Sequence, residues 1–271
     1  MRFKDKVVVV TGAGSGIGEG IAEEFGKEGA IVAIAEINSV NGRKVEEKLK
    51  AQGIQAAFFH VDISDENSVL SAVQQIHDQF GRIDVLINNA GVSLWRNILD
   101  TTTAEWDKIM GVNLKGLFLM SKHCASYIKL SDVRSIVNIS SVHANLTLAG
   151  VDAYVASKGG ILSLTRSMAL SLRELKIRVN GICPGYIETP MTTNVLEAAE
   201  DSAKLKERFL SFHLADRLGT AKDIGRVCMF LSSEDAAFIN GHIMVVDGGV
   251  SIQLPNRGAE ALPSRYNHVS L

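Results

Sequence analysis

The stretch Val7-Val8-Val9-Val10-Thr11-Gly12-Ala13-Gly14-Ser15-Gly16-Ile17-Gly18 decides the fold of this chain. A short β-branched run that ends in turn residues predicts a strand buried on both faces, as in a parallel sheet. After this turn, apolar side chains follow with helical spacing at Ile21, Ala22 and Phe25, and glutamates lie between them. The stretch therefore predicts a strand, a glycine-rich turn and a helix.

The glycine-rich turn is a candidate anion site. Free backbone N–H groups and the positive end of the predicted helix converge there, which favours a phosphate group. Glycines let a pyrophosphate approach because no Cβ atoms stand in the way. The spacing is Gly12-x-x-x-Gly16-x-Gly18, and the strict G-x-G-x-x-G pattern does not occur. An ordinary tight strand-to-helix turn is therefore the alternative on this stretch alone.

The composition indicates one folded domain with neither nucleic acid nor membrane as a partner. The chain has 271 residues, of which 46% are hydrophobic, and a net charge of −2 without basic clusters. No apolar run reaches about 18 residues and no signal peptide precedes Val7, so we expect a cytoplasmic protein. Cys124, Cys183 and Cys228 lack the spacing of metal ligands, and we expect buried, reduced thiols and no metal site.

Glu36 closes a second apolar run, residues 30–35. A carboxylate at the end of the second strand is placed to accept hydrogen bonds from the adenosine ribose hydroxyls, and it would repel a 2′-phosphate. The neighbouring Ser15 and Ile37 offer no positive charge to neutralise such a phosphate. The pattern therefore favours NAD over NADP. The alternative is that Glu36 is a solvated loop residue.

Asp62 follows a third predicted strand, residues 55–61. Its carboxylate is placed to accept a hydrogen bond from the adenine amino group, with Ile63 against the ring. Alternatively, Asp62 caps the next helix, and Ser64 competes for that role. A fourth strand, residues 84–87, leads into Asn88-Asn89-Ala90-Gly91.

The regular alternation of strands and helices predicts the α/β class, with a single doubly wound (Rossmann) domain over residues 1–250. Further strands at residues 135–139, 178–183 and 242–246 give a seven-stranded parallel sheet with helices on both faces. Right-handed crossovers place every strand-to-helix turn at one edge, where we expect the ligand. The tail, residues 251–271, has no periodicity and is left unassigned.

Ser141, Tyr154 and Lys158 are the candidate catalytic residues. Ser141 ends the fifth strand, and the i, i+4 spacing puts the Tyr154 phenol and the Lys158 ammonium on one helix face. A nearby ammonium lowers a phenol pKa from about 10, which suits Tyr154 for general acid–base work. Lys158 could also hold the nicotinamide ribose, and Ser141 could stabilise charge on a substrate oxygen. Such a site suits alcohol–carbonyl interconversion, with a cofactor carrying the hydride. The alternative is a helix-surface pair.

The chain resembles the short-chain dehydrogenase/reductase family over residues 6–249. The motifs occur in the family's order: Thr11-Gly12-Ala13-Gly14-Ser15-Gly16-Ile17-Gly18, Asp62, Asn88-Asn89-Ala90-Gly91, Asn113, Ser141, Tyr154-x-x-x-Lys158 and Pro184-Gly185-x-Ile187-x-Thr189. Together these motifs are highly specific.

The resemblance implies a role for each matched residue. Asn113 would complete a catalytic tetrad with Ser141, Tyr154 and Lys158. It would hold a water that relays protons to Lys158. Without the resemblance, Asn113 could simply form hydrogen bonds with the backbone. Similar proteins are usually homotetramers, paired through helices near residues 104–127 and 154–172 and through the last strand. The cofactor residues expected on residue and family grounds are Gly12, Ser15, Gly16, Ile17, Gly18, Glu36, Asp62, Ile63, Asn88, Ala90 and Gly91, with Tyr154, Lys158, Pro184, Gly185, Ile187 and Thr189.

Within the cofactor site, Asn88 and Ala90 would line the adenosine side, and Ile187 and Thr189 would bind the carboxamide of nicotinamide.

The resemblance does not identify the substrate. Many relatives have a small or apolar residue where this chain has His143, which is either an inert loop residue or a hydrogen-bond partner of the substrate. The apolar face of Trp95 suits a sugar ring. The candidate substrate residues are Ser93, Trp95, Arg96, His143, Asn145, Tyr186 and Glu188.

The sequence therefore predicts an NAD-dependent oxidoreductase that interconverts a secondary alcohol and its carbonyl, with a sugar or polyol as the hypothesis for the substrate. One alternative is a reductase of 3-oxoacyl thioesters or steroid-type ketones, for which NADPH preference is expected. An alternative of another class is a non-catalytic protein that senses the dinucleotide, because a fold alone does not fix a function.

Overall fold

The structure, a computed structural model, describes residues 1–197 and 199–252. Its centre is a parallel sheet of seven strands in the order β3-β2-β1-β4-β5-β6-β7. The strands are β1 (Val7–Thr11), β2 (Ile31–Glu36), β3 (Ala56–His60), β4 (Val85–Asn88), β5 (Ser135–Ile139), β6 (Arg178–Pro184) and β7 (Ile243–Val246). The strand order reverses between β1 and β4, which opens a crevice beyond the carboxyl ends of these strands.

Helices cover both faces of the sheet, as predicted. The helices are α1 (Gly16–Lys27), α2 (Ser39–Ala51), α3 (Glu66–Phe80), α4 (Thr103–Met110), α5 (Leu117–Ile128), α6 (Asp152–Ser171), α7 (Pro190–Glu197), α8 (Ser202–Ser211) and α9 (Ala221–Ser232).

The alternation of side chains in β1 separates two cores. Val7 and Val9 pack into a cluster with residues of α3, α5 and α6. Val8 and Val10 pack into a second cluster with residues of α1, α2 and α9. All four valines are fully buried. A strand buried on both faces needs no polar positions, and the predicted doubly wound fold is confirmed.

One local alternative is wrong, and one helical segment has an irregular turn. Neither Asp62 nor Ser64 caps α3, because Asp65 is the N-cap and its side chain accepts a hydrogen bond from Asn67 N. The segment around Asn113 is not one continuous α-helix, because Gly111–Gly116 forms a turn of π-helix between α4 and α5. Such a turn is frequent at functional sites, because it redirects the side chains within it.

The described residues form the one sheet that the sequence predicts for residues 1–250. Beyond β7, a short 3₁₀ turn, Val250–Ile252, ends this part of the chain, and the rest of the unassigned tail lies outside the described residues. Within residues 1–197 and 199–252, no helix combines the length and apolarity that crossing a membrane requires.

Candidate active site

A groove of about 510 Å³ lies at the carboxyl edge of the sheet, over the glycine-rich turn. The turn after β1, the end of β2, the segment after β3 and the turn after β4 form its walls. Most of the predicted cofactor residues line this groove: Gly12, Ser15, Gly16, Ile17, Glu36, Asp62, Ile63, Ala90, Gly91, Tyr154, Lys158 and Thr189. These residues therefore lie together at the sheet edge where the topology predicted the ligand.

The glycine-rich turn is shaped for close approach of a ligand. Gly12 and Gly16 have φ angles of +63° and +58°, which favour glycine over any residue with a Cβ. A Cβ on Gly12 would lie 2.8 Å from Ala90 Cα. Ser15 precedes α1 with extended backbone, and its side chain makes no capping hydrogen bond. The N–H groups of the first turn and the Ser15 hydroxyl thus suit an anion.

Gly18 supports the turn from behind and does not line the groove. A Cβ there would lie 2.2 Å from Gly12 O and 2.6 Å from Asn89 Nδ2. Asn89 Nδ2 donates to Thr11 O at 3.0 Å and to Gly12 O at 3.2 Å. The turns after β1 and β4 are therefore locked together, and only a residue without a side chain fits between them.

Asn88 does not reach the groove with its side chain, although the family resemblance suggested the adenosine side for it. Its side chain is buried, and Nδ2 donates to Ser121 Oγ and to Asn138 Oδ1, both at 2.9 Å. The next residue, Asn89, borders the groove instead. Because neighbouring strand residues point to opposite faces, only one of two consecutive asparagines can face the cleft.

The side chains of Glu36 and Asp62 line the groove, and both carboxylates have hydrogen-bond acceptor positions that the protein does not use. Glu36 Oε2 accepts from Gly14 N at 3.1 Å, and Oε1 accepts from Asn38 N at 2.9 Å. Asp62 Oδ1 accepts from the backbone and hydroxyl of Ser64, at 2.9 and 2.7 Å. A carboxylate has about four acceptor positions, so both groups can still accept bonds from a ligand.

Ser141, Tyr154 and Lys158 lie near one another; Tyr154 and Lys158 line the groove, and Ser141 lines a second cavity next to it. Ser141 follows β5, and α6 carries the other two side chains. The Ser141 hydroxyl lies close enough to the Tyr154 hydroxyl to lower the pKa of the phenol. Lys158 Nζ lies 5.7 Å from the centre of the Tyr154 ring and donates to Ile139 O at 3.0 Å. The predicted cluster of hydroxyl, phenol and ammonium is therefore present at one point of the sheet edge.

The predicted lowering of the Tyr154 pKa by Lys158 is wrong for this arrangement. Burial raises the pKa of Tyr154, and the neighbouring Ser141 hydroxyl opposes this only in part. Burial also lowers the pKa of Lys158 to about 8, since the ammonium is desolvated and bonded to a single carbonyl. Lys158 is not among the groups that shift the pKa of Tyr154, and desolvation decides the direction. The phenol in this arrangement is a protonated acid near neutral pH.

Asn113 lies in the π-helical turn, with its side chain buried beside this cluster. Oδ1 accepts from Val92 N at 2.8 Å, and Nδ2 donates to Val92 O and to Ser157 Oγ at 2.9 and 3.0 Å. Asn113 Oδ1 and Lys158 Nζ both border Gly91, at 3.3 and 3.5 Å from where a Cβ would lie. Asn113 thus fixes the segment after β4 and keeps one acceptor position near the ammonium.

A second cavity of about 130 Å³ adjoins the groove, and Tyr154 lines both spaces. Its walls are largely apolar and aromatic. Of the predicted substrate residues, Ser93, Trp95, His143 and Tyr186 line it. Pro184, Gly185 and Ile187, which were predicted for the cofactor, border this cavity as well, and Thr189 borders both spaces.

Arg96, Asn145 and Glu188 are not among the residues that line the cavity. Arg96 forms an ion pair with Glu105 at 3.2 Å, and Asn145 is an exposed residue at the end of a 3₁₀ turn. Glu188 donates its backbone N–H to Gly219 O at 2.8 Å. Proximity in sequence to the lining residues suggested them, but neighbouring residues of a loop need not face the same space.

The sequence analysis missed part of the wall, which comes from the loop before α6 and from the excursion after β6. The additional lining residues are Ser140, Val151, Met191, Thr192, Val195 and Phe209. Phe209 stacks on Tyr186 with ring centres 4.3 Å apart. The apolar spacing of Leu205, Phe209 and Phe212 on a polar helix was the signal that could have indicated a buried face.

This fold and site define a dinucleotide-binding oxidoreductase domain, and comparison with known proteins agrees. The family model described as "Enoyl-(Acyl carrier protein) reductase" matches residues 12–251. The chain is 35% identical to cyclopentanol dehydrogenase of Comamonas sp. over 248 residues, 92% of this chain and 98% of the relative. It is 38% identical to meso-2,3-butanediol dehydrogenase of Serratia marcescens over 251 residues, 93% and 96% of the two chains.

A solved structure agrees with this result at the level of the fold. The crystal structure of levodione reductase has a TM-score of 0.88 and 33% identity, and the match covers 93% of this chain and all of that one. The chain belongs to the short-chain dehydrogenase/reductase family. It is an oxidoreductase that acts on CH–OH groups and their carbonyl counterparts with a nicotinamide dinucleotide cofactor.

The buried ammonium of Lys158 gives a pH-dependent prediction for stability. Its pKa is lowered from 10.5 to about 8 on folding. Above about pH 8 the unfolded chain therefore binds more protons than the folded chain, and stability rises with pH up to about 10.5. We expect the unfolding free energy of the wild type, relative to Lys158→Met, to increase by about 3 kcal/mol over this range. Urea unfolding at a series of pH values measures it, and a pH-independent difference would contradict it.

Proposed function

We propose that this protein is an NAD-dependent oxidoreductase that interconverts small secondary alcohols with a largely apolar body and their ketones. One observation carries the proposal: Tyr154 lines both the large groove and the small apolar cavity next to it. The reacting carbon of a molecule in the cavity would face the groove beside the hydroxyls of Ser141 and Tyr154. The groove would bind the cofactor, and the cavity would bind the substrate.

The preference for NAD rests on Glu36. Its carboxylate lies at the end of β2 in the groove wall, and Oε2 is bonded to the backbone of Gly14 within the glycine-rich turn. In that position it would accept bonds from ribose hydroxyls and would repel a 2′-phosphate. The neighbouring Ile37 and Ser15, which also line the groove, bring no positive charge. The same residue opposes the alternative of an NADPH-dependent 3-oxoacyl reductase.

The walls of the cavity favour a compact apolar substrate. Val151, Met191, Val195 and Phe209 contribute only apolar surface, and Trp95 closes one side. An apolar cavity of about 150 Å³ holds a molecule of the size of benzene, so about 130 Å³ suits a five- or six-membered ring. The activities in the names of cyclopentanol dehydrogenase and levodione reductase point to substrates of this kind. The sugar or polyol of the sequence analysis would leave several hydroxyls against these walls without partners.

The proposed mechanism assigns the proton transfer to Tyr154. When bound, the nicotinamide ring supplies the hydride acceptor or donor. Because burial raises the pKa of Tyr154, its phenol is protonated near neutral pH, and it can donate this proton to the oxygen of a ketone. Ser141 would stabilise negative charge on that oxygen. In the oxidation direction the phenol must first lose its proton, so we propose that the rate of alcohol oxidation rises with pH.

We propose that Lys158 and Asn113 complete this proton path. Burial lowers the pKa of Lys158 to about 8, which allows its ammonium to exchange a proton near neutral pH. The remaining acceptor position on Asn113 Oδ1 lies on the same side of Gly91 as Lys158 Nζ, and a water between them would return protons from solvent. Lys158 would in addition hold the ribose of the nicotinamide.

We propose that the chain forms homotetramers through its exposed apolar helix surfaces and the edge of the sheet. Trp106 on α4, Phe118 on α5 and Leu170 on α6 are exposed by 41%, 44% and 78%. β7 is the last strand of the sheet order, and its Val245 is exposed by 43%. Burial of such a surface against a second copy is favourable. Light scattering of the purified protein tests the mass, and a monomer would contradict the proposal.

Steady-state rates against a substrate set test the proposed function. The set contains cyclopentanol, cyclohexanol, butan-2-ol and their ketones, with aldohexoses, sorbitol, a 3-hydroxysteroid and an acetoacetyl thioester. We expect the highest kcat/KM with the first group and NAD(H). Activity confined to sugars would restore the polyol hypothesis, and activity confined to the thioester or steroid would favour that alternative. Tight NADH binding without turnover of any member would indicate a dinucleotide sensor.

A further inference from the structure

We infer that Lys108 binds the adenine ring of the cofactor, by donating a hydrogen bond to one of the two ring nitrogens, N1 or N7, that flank the amino group. Lys108 is not one of the residues predicted from the sequence for the cofactor. The inference rests on the proposed function, which puts the dinucleotide in the large groove, and it adds a specificity-determining residue to that site. The position of Lys108 and its unused hydrogen-bonding capacity carry it.

Lys108 lies in the wall of the large groove. It belongs to the last turn of α4, about one helical turn before Val112 of the π-helical turn, and Val112 lines the same groove. Residues at this spacing lie on one face of a helical segment. Lys108 is an exposed residue, so its long side chain is free to adjust to a ligand in the groove.

The packing of this helical segment puts Lys108 at the same end of the groove as Asp62. A Cβ on Gly111, three residues after Lys108, would lie 3.9 Å from Ser64 Cβ. Lys115 Nζ donates a hydrogen bond to Ser64 O at 3.1 Å. Ser64 in turn donates its N–H and its hydroxyl to Asp62 Oδ1. The segment that carries Asp62 is therefore held against the helical segment that carries Lys108, and both residues line the groove.

The ammonium of Lys108 has all its hydrogen-bonding capacity left for a ligand. Within residues 1–197 and 199–252 it makes neither a hydrogen bond nor an ion pair. The other lysine of the groove wall, Lys158, is buried, lies beside Tyr154 and donates to Ile139 O at 3.0 Å. An ammonium offers three donors. Lys108 therefore brings a free positive donor to the end of the groove where Asp62 brings an acceptor.

A carboxylate and an ammonium side by side complement the amino edge of adenine. The amino group of adenine is a donor, and the ring nitrogens on either side of it, N1 and N7, are acceptors. Asp62 would accept from the amino group, and Lys108 would donate to the ring nitrogen next to it. A 2′-phosphate is the other group that a free ammonium could bind, but Glu36 in the same groove would repel it.

The test measures the Kd of reduced dinucleotides by fluorescence titration of the wild type, Lys108→Met and Lys108→Gln. The dinucleotides are NADH and its 1-deaza- and 7-deaza-adenine analogues, in which carbon replaces N1 or N7. We expect Lys108→Met to raise the Kd of NADH about tenfold, the effect of one lost hydrogen bond from a charged donor, and Lys108→Gln to recover part of the affinity. One of the two analogues should bind the wild type about tenfold more weakly than NADH, and Lys108→Met should weaken its binding by less than about twofold more.

Lys115→Met is the matched control, because it removes a neighbouring lysine that bonds Ser64 O and is not among the residues that line the groove. We expect its Kd for NADH to stay within about twofold of the wild type. An unchanged Kd in Lys108→Met, an equal loss with all three dinucleotides or an equal loss in Lys115→Met would overturn the inference. A larger loss for NADPH than for NADH would also overturn it, because the ammonium would then bind the 2′-phosphate. A wild type that binds NADH but oxidises no alcohol would instead overturn the proposed function.

Discussion

Replacing Tyr154 by Phe should lower kcat for alcohol oxidation and ketone reduction by about 10²–10⁴-fold, the usual contribution of a positioned acid–base. The substitution removes only the phenolic hydroxyl, which is the group that the mechanism uses and whose pKa the neighbouring Ser141 lowers. The ring, which lines both the groove and the cavity, is retained. Dinucleotide binding should therefore change little, and the loss should appear in kcat.

Fluorescence titration with NADH measures the binding part of this prediction, and we expect a Kd within about threefold of the wild type, a difference below about 1 kcal/mol. Tyr127→Phe is the matched control, because the Tyr127 hydroxyl on α5 donates to Gln74 at 3.0 Å and does not border the groove or the cavity. A Tyr154→Phe enzyme with wild-type kcat would show that another group transfers the proton.

Glu36 should give the second large effect, a preference for NADH over NADPH of about 10²-fold or more in kcat/KM. Like charges brought together at a binding surface cost several kcal/mol, and about 1.4 kcal/mol corresponds to a factor of ten. The Glu36 carboxylate is held in place by bonds from Gly14 N and Asn38 N, so it is fixed where a 2′-phosphate would come. Rearrangement of the side chain would break these bonds.

The variant Glu36→Gln isolates the charge, because the side-chain amide keeps the size and an acceptor oxygen. We expect its kcat/KM with NADPH to rise about tenfold, with a smaller change for NADH, when both cofactors are compared at saturating substrate. Glu36→Arg should go further and reverse the preference, because a guanidinium binds phosphate. Equal use of NADH and NADPH by the wild type would contradict the role assigned to Glu36.

Patterns that are local in sequence predicted the fold well. The apolar runs of β1, β2 and β5 occur where they were expected, because a strand buried on both faces has few alternatives. The glycine-rich turn and the spacing of Tyr154 and Lys158 also depend only on residues within a few positions of each other. These features determined the location of the site and the class of reaction.

Features that depend on the packing of several elements could not be predicted from local sequence patterns. The π-helical turn of Asn113 forms where α4, α5 and α6 pack together, and no local pattern separates it from an α-helix. The burial of Asn88 depends on Ser121 and Asn138, which come from other elements. The pKa of Tyr154 was predicted from charge alone, whereas desolvation by the surrounding fold decides its direction.

The central claim is that this chain moves a hydride directly between a secondary alcohol and the dinucleotide, with Tyr154 handling the proton. Cyclopentanol deuterated at its hydroxyl-bearing carbon tests it most directly, with mass spectrometry of the reduced dinucleotide as the measurement. The account predicts that the wild type forms reduced dinucleotide that carries the deuterium, and that Tyr154→Phe forms it at least about a hundred times more slowly. Reduced dinucleotide without deuterium, or equal rates in the two proteins, would contradict it.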